Sequence, residues 1–210
     1  MGQRHQVYVF VTDKDNGNIC AYAYHNQWCY GTLPLRHLNR VIRFQKKAQD
    51  YLGIGESYQD ETDKIQAILS LEIEEGYYGG YFSIIEEVAE VNKTEKNGYT
   101  CKEVNYKTID PNCGDNNDGI TIIHIDAKRK VSYCFMVLRE CDEEGLEKAK
   151  PNIPLSAKEY VSLYYKKGGE NWKGLDVDKI LKAVSKTKLL TLEQCKRLLP
   201  KFYAKELVEA

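Results

Sequence analysis

Gln3 to Thr12 is rich in Val, Tyr and Phe in strand-like alternation, and Ile19 to Trp28 repeats the pattern after a polar break. The break, Asp13-Lys14-Asp15-Asn16-Gly17-Asn18, contains an Asn-Gly pair that supplies the positive φ a tight turn needs. The two runs therefore predict an antiparallel ribbon. Gly31-Thr32 ends it, and Thr32 can cap a helix from Leu33 to about Leu52. Leu35, Leu38, Val41, Ile42 and Leu52 lie on one face of that helix.

Further along, the pattern predicts a helix over Asp63–Glu75, broken by Gly76-Tyr77-Tyr78-Gly79-Gly80-Tyr81. Phe82–Val91 reads equally as helix or strand, Asn92–Gly98 as a polar loop and Tyr99–Ile109 as a weak strand. Ile120–Asp126 and Val131–Leu138 form a second hairpin about a turn at Ala127-Lys128-Arg129-Lys130, both runs apolar enough for central strands. After Pro151 and Pro154 the chain reads as helical. Ser156-x-x-Glu159 and Thr191-x-x-Gln194 are capping boxes, and Asp176 caps a helix from Val177 to about Lys186. The expected fold is α+β: a mainly antiparallel sheet of about five strands packed by helices, with a C-terminal helical segment. A two-sheet sandwich with outer helices is the architectural alternative. One domain over 1–210 is expected, with 155–210 as a helical subregion that docks on the sheet.

Composition narrows the function classes. Thirty basic residues face 31 acidic ones, so no global field draws the chain to nucleic acid or an anionic membrane. No apolar run is long enough for a transmembrane helix, and the N-terminus carries no secretory or myristoylation pattern. Seven cysteines without a CxxC pair fit a reducing compartment, and the expected location is cytoplasmic, or virion-associated for a viral gene.

The candidate chemistry is polar and sits at one end of the first ribbon. A turn about Asp15-Asn16 places Gln6 opposite His25, His5 opposite Asn26 and Arg4 opposite Gln27. Alternation then puts Arg4, Gln6, His25 and Gln27 on one face and His5, Asn26 and Trp28 on the other. Histidine exchanges protons near neutral pH and arginine clamps paired anionic oxygens. His5 and His25 are thus the acid–base candidates. Arg4, Gln6, Asn26, Gln27, Trp28 and Arg36 are the ligand-binding candidates, for a small or phosphate-containing molecule, with hydrolysis as the reaction to consider. The helix after Gly31 aims its N-terminus at the same strand end, which favours an anion there. The competing reading makes the cluster a hydrogen-bond network that stiffens the hairpin of a non-catalytic interaction or virion-associated structural protein.

Weaker signals lie elsewhere in the chain. Arg36, Arg40, Arg43 and Lys47 form a basic stripe opposite the helix's apolar face, usually a solvated surface but open to phosphate, nucleic acid or an acidic partner. Cys29 lies close to the histidines, yet no local signature makes it a nucleophile. Asp110–Gly119 is rich in oxygen donors but breaks the calcium-loop spacing, so a turn is expected and no metal ligand set is assigned. His124, on a strand side with Ile120 and Ile122, reads as a core histidine. The segments GQRHQVYV, YHNQWCYG and LPLRHL resemble the opening of a scattered group of small microbial and viral proteins with no established activity. The resemblance covers about residues 2–45 and implies no residue role.

Overall fold

The computed structural model describes residues 4–13, 15–27, 34–35, 38–39, 41–43, 82–84, 89–96, 99–113, 119–137, 152–164 and 176–206. For 4, 24–27, 82–84, 92–96, 99–103, 164 and 205–206 it describes the backbone alone. The helix expected over Asp63–Glu75 and the Gly-Tyr stretch after it lie outside these residues.

The fold is α+β, built on one mixed sheet. Its strands are β1 (Arg4–Thr12), β2 (Ile19–Gln27), β3 (Phe82–Ile84), β4 (Val91–Lys96), β5 (Tyr99–Val104), β6 (Ile120–Ile125), β7 (Val131–Met136) and β8 (Lys188–Leu189). They run in the order β4-β5-β2-β1-β6-β7-β8, with β3 also pairing β2. The five strands expected from the pattern correspond to β1, β2, β5, β6 and β7. Phe82–Val91, ambiguous in sequence, supplies β3 and the first residue of β4. The expected loop over Asn92–Gly98 is instead largely β4, paired antiparallel with β5. It escaped the pattern because an edge strand needs few apolar residues, and this one has only Val91. β8 is two residues long and too short to show any period.

Most pairs are antiparallel, but β1·β6 and β7·β8 are parallel. Parallel neighbours need a long connection between them, and both pairs have one. The alternation of β1 then buries both of its faces. Val7, Val9 and Val11 join Ile123, Ile125, Tyr133 and Phe135 in one core layer. Tyr8 and Phe10 join Ile122, Cys134 and Met136 in the other.

Helices cover each layer. The described residues of 34–43 are helical, and Leu35, Leu38, Val41 and Ile42 are buried in the first layer, as their spacing predicts. Helices α1 (Ala157–Tyr164) and α2 (Val177–Val184) contribute Tyr160, Val161, Val177 and Val184 to the same side. Helices α3 (Leu192–Leu198) and α4 (Pro200–Glu206) cover the second layer with Cys195, Leu198 and Phe202. Each fully buried Leu or Phe among these contributes about 2 kcal/mol relative to exposure.

The helix starts are fixed by the expected caps. The Ser156 hydroxyl accepts from Glu159 N–H while the Glu159 carboxylate accepts from Ser156 N–H. Thr191 and Gln194 repeat the exchange, and the Asp176 carboxylate accepts from Lys179 N–H. The Cys134 and Cys195 thiols meet at 3.5 Å between β7 and α3, both buried. Burial, then the neighbouring thiol, pushes the Cys134 thiol well above its ordinary range, so it packs as a protonated apolar group.

Gly119 precedes β6 with φ +84°, a conformation that side chains rarely adopt. A Cβ there would fall on the main-chain carbonyl of Met136. Its own carbonyl oxygen accepts from Gln6 N–H at 3.4 Å. Glycine at this position lets three strands converge.

Candidate functional site

The register of the first ribbon is Arg4↔Gln27, His5↔Asn26 and Gln6↔His25. The backbones of the six residues singled out there therefore meet, as the turn position implied. Alternation sends His5 and Gln6 to opposite faces, and the structure shows what each one meets. His5 is fully buried, and its Nε2 lies 2.6 Å from the Thr121 hydroxyl oxygen on β6. Its ring meets the edge of Tyr160 on α1 at 6.1 Å. Gln6 is also fully buried, and its side-chain oxygen accepts from the Tyr8 hydroxyl at 2.6 Å. Burial, then the charges of Asp110 and Cys113, pushes the Tyr8 hydroxyl well above its ordinary range, so it remains a proton donor in that bond. The side chains of Arg4, His25, Asn26 and Gln27 lie outside the described residues, as do Trp28, Cys29 and Arg36. Of the basic stripe, Arg43 is helical and exposed, while Arg36, Arg40 and Lys47 lie outside the described residues.

The oxygen-rich segment after Ile109 begins as a turn. Asp110 is buried, its side chain accepts from Asn112 N–H, and its carbonyl accepts from Cys113 N–H. Residues 114–118 lie outside the described set. Among the described residues, no group of three or more His, Cys, Asp or Glu side chains could hold a metal ion.

At the opposite end of β1 the sheet opens into a cleft of about 900 Å³. Its position follows from the topology. β1 and β6 are parallel neighbours, but β1 turns away into β2 and β6 turns away into β7. The two strands stay paired as far as Val11↔Ile125, and the cleft lies at that carboxyl end of the pair. Thr12 and His124 line it, with the Thr12 hydroxyl oxygen 2.8 Å from His124 Nε2. The expectation of a core histidine holds for the burial of His124, which is 5% exposed, but its ring also borders this cleft.

Two basic segments meet across the cleft. Lys128, Arg129 and Lys130 come from the β6–β7 turn, and Lys186, Lys188 and Arg197 from α2–β8 and α3. The one carboxylate among the described lining residues is Asp126. Its Oδ1 accepts from the N–H groups of Lys128 and Lys130, both at 2.8 Å, so it shapes the turn. Arg129 within that turn has φ 62°, the left-handed region that glycine favours. A long cationic side chain held there costs about 1 kcal/mol in backbone strain, and such strain concentrates at sites of use.

His124 is affected by this setting. Burial first, and the Arg197 guanidinium second, lower its pKa below 6.5, while Asp126 opposes them. The sign follows directly. The folded protein resists a proton that the unfolded chain takes up near pH 6.5, so stability is full above that pH and falls as the pH drops below it. Urea unfolding between about pH 7.5 and 5.5 is expected to show a smaller loss for His124→Gln than for the parent. Equal slopes would exclude His124 as the source.

Sequence reasoning passed over this cleft. Lys128-Arg129-Lys130 reads as part of a hairpin turn, Lys186 only as the end of a helix, and Lys188 and Arg197 stand out by no pattern. The available signal was the charge of that turn.

No protein-family model matches this chain, and neither a curated protein nor a solved structure matches it.

Proposed function

We propose that this protein binds a phosphate-containing ligand in the basic cleft at the carboxyl ends of β1 and β6. The observation that carries the reading is the charge of that cleft: among its described lining residues, Lys128, Lys130, Lys186, Lys188 and Arg197 are exposed cations and Arg129 is half-buried, against one carboxylate whose Oδ1 is engaged by backbone N–H groups. The chain as a whole is nearly neutral, so this excess is local. The cleft also has the size of small-molecule pockets, which run from about 300 to 1,000 Å³. Thr12, His124 and Gln194 add neutral polar groups that orient a ligand. The ligand class is the one the ribbon cluster suggests, moved to the other end of the same strand.

A second reading has a specific observation behind it. His5 and Gln6 are buried and hydrogen-bonded, which suits a stiffening network in a non-catalytic interaction protein. The two readings are compatible, since one concerns the amino end of β1 and the other its carboxyl end. No helix among the described residues is long and apolar enough to cross a membrane, which agrees with a ligand met in solution.

The test is thermal unfolding with inorganic phosphate, glycerol 3-phosphate or tripolyphosphate, each against sodium chloride at matched ionic strength. At least one probe is expected to raise the melting temperature, because a ligand at about 100 times its Kd stabilises by about 2.7 kcal/mol. In Lys128→Ala/Lys130→Ala, both at exposed positions, the rise should shrink, while stability without ligand stays within about 0.5 kcal/mol of the parent. If all three probes act like sodium chloride, the reading fails.

A further inference from the structure

The cations of the cleft are arranged as two banks on separate parts of the chain. One bank is a single tight turn, Lys128-Arg129-Lys130, fixed by Asp126. The other comes from the segment that leaves α2, forms the edge strand β8 and enters α3, and it carries Lys186, Lys188 and Arg197. Both banks are anchored to β7. The turn leads directly into β7, and β8 pairs with it through Ser132↔Lys188 and Tyr133↔Leu189. The spacing between the banks is therefore set by the sheet, and bringing the second bank to the first does not require ordering a loop at the moment of binding.

We propose that the cleft takes a ligand with two or more consecutive phosphoryl groups, bridging the Lys128-Arg129-Lys130 turn and the Lys186, Lys188 and Arg197 bank. The inference rests on the phosphate-binding reading above and names its ligand class. A single phosphoryl group carries about −1.5 to −2 at neutral pH, so it neutralises at most two of the five exposed cations Lys128, Lys130, Lys186, Lys188 and Arg197 described along the cleft. Like charges left facing one another across the cleft repel, and a chain of phosphoryl groups removes that repulsion at both banks. A cleft of about 900 Å³ also has far more room than a lone phosphate fills, which leaves space for the organic part of a nucleoside polyphosphate. A nucleic acid would satisfy the same charges with a longer backbone. The convergence of the two banks on one cleft beside His124 and Thr12, in place of a basic track along the surface, favours the compact ligand.

Calorimetric titration of the full chain with inorganic phosphate, pyrophosphate, tripolyphosphate and a single-stranded oligonucleotide tests this. Tripolyphosphate should bind about tenfold or more tightly than phosphate, with an affinity that falls steeply as salt rises. Lys128→Ala/Lys130→Ala and Lys186→Ala/Lys188→Ala should each weaken tripolyphosphate binding severalfold. These substitutions are at exposed positions, and circular dichroism should show both variants folded. Equal affinity for phosphate and tripolyphosphate, or insensitivity to one of the two double substitutions, overturns the bridging proposal and leaves phosphate binding standing. Tighter binding of the oligonucleotide than of tripolyphosphate also overturns it. No binding of any probe removes the underlying reading as well.

Discussion

Gly119→Ala is expected to lower the unfolding free energy by about 3–5 kcal/mol, enough to unfold a marginal domain. Two effects add. The residue sits at φ +84°, where any side chain costs about 1–3 kcal/mol in backbone strain. The new methyl must also displace the main-chain carbonyl of Met136, which cannot swing aside like the tip of a lysine. Moving it disturbs the Ile120↔Met136 pair and, through the Gly119 carbonyl, the start of the β1·β6 ladder. Urea unfolding followed by circular dichroism measures the change. A loss smaller than about 1 kcal/mol would mean that the strand ends yield easily, against the close packing described here.

His5→Ala should cost about 2–4 kcal/mol in stability while leaving the affinity for tripolyphosphate within about twofold of the parent. The imidazole is fully buried, approaches the Thr121 hydroxyl at 2.6 Å and packs on the edge of Tyr160. Removing it opens a cavity and takes one partner from a buried hydroxyl. The cleft lies at the other end of β1 and is not lined by His5, so binding should survive wherever the protein stays folded. The opposite result, normal stability with binding abolished, would return the ligand to the amino end of the ribbon. Paired measurement of unfolding and titration on one preparation separates the two outcomes.

Local signals carried much of this fold. The Asn-Gly turn and flanking strand residues suffice for the register that joins Gln6 to His25, because a tight turn fixes every pair behind it. The caps at Ser156, Asp176 and Thr191 were legible because capping is a contact between residues three apart. The spacing of Leu35, Leu38, Val41 and Ile42 predicted a buried face for the same kind of reason. What the sequence did not show was long-range pairing. Nothing in the pattern of Arg4–Thr12 tells that its second neighbour is Ile120–Ile125, or that the contact is parallel.

The same distinction separates the two candidate sites. The ribbon cluster gathers residues joined by one turn, so it could be assembled from sequence. Its burial could not, because His5 is covered by Thr121 and Tyr160 from distant elements. The basic cleft needs the parallel pairing of β8 with β7 to bring Lys188 near Lys128-Arg129-Lys130. Each half is unremarkable alone, and only their meeting has chemical meaning.

The parallel contact between β1 and β6 also has a bearing on how the chain is made. His5 reaches its partner Thr121 across 116 positions, so the first ribbon leaves the ribosome long before its inner neighbour exists. Until then the Val7–Val11 edge is an open ladder of apolar residues, the kind of surface on which nascent chains stick to one another. Fragments ending before Ile120 should therefore collect as aggregates, and slower synthesis of the segment between Thr12 and Ile120 would lengthen that exposure.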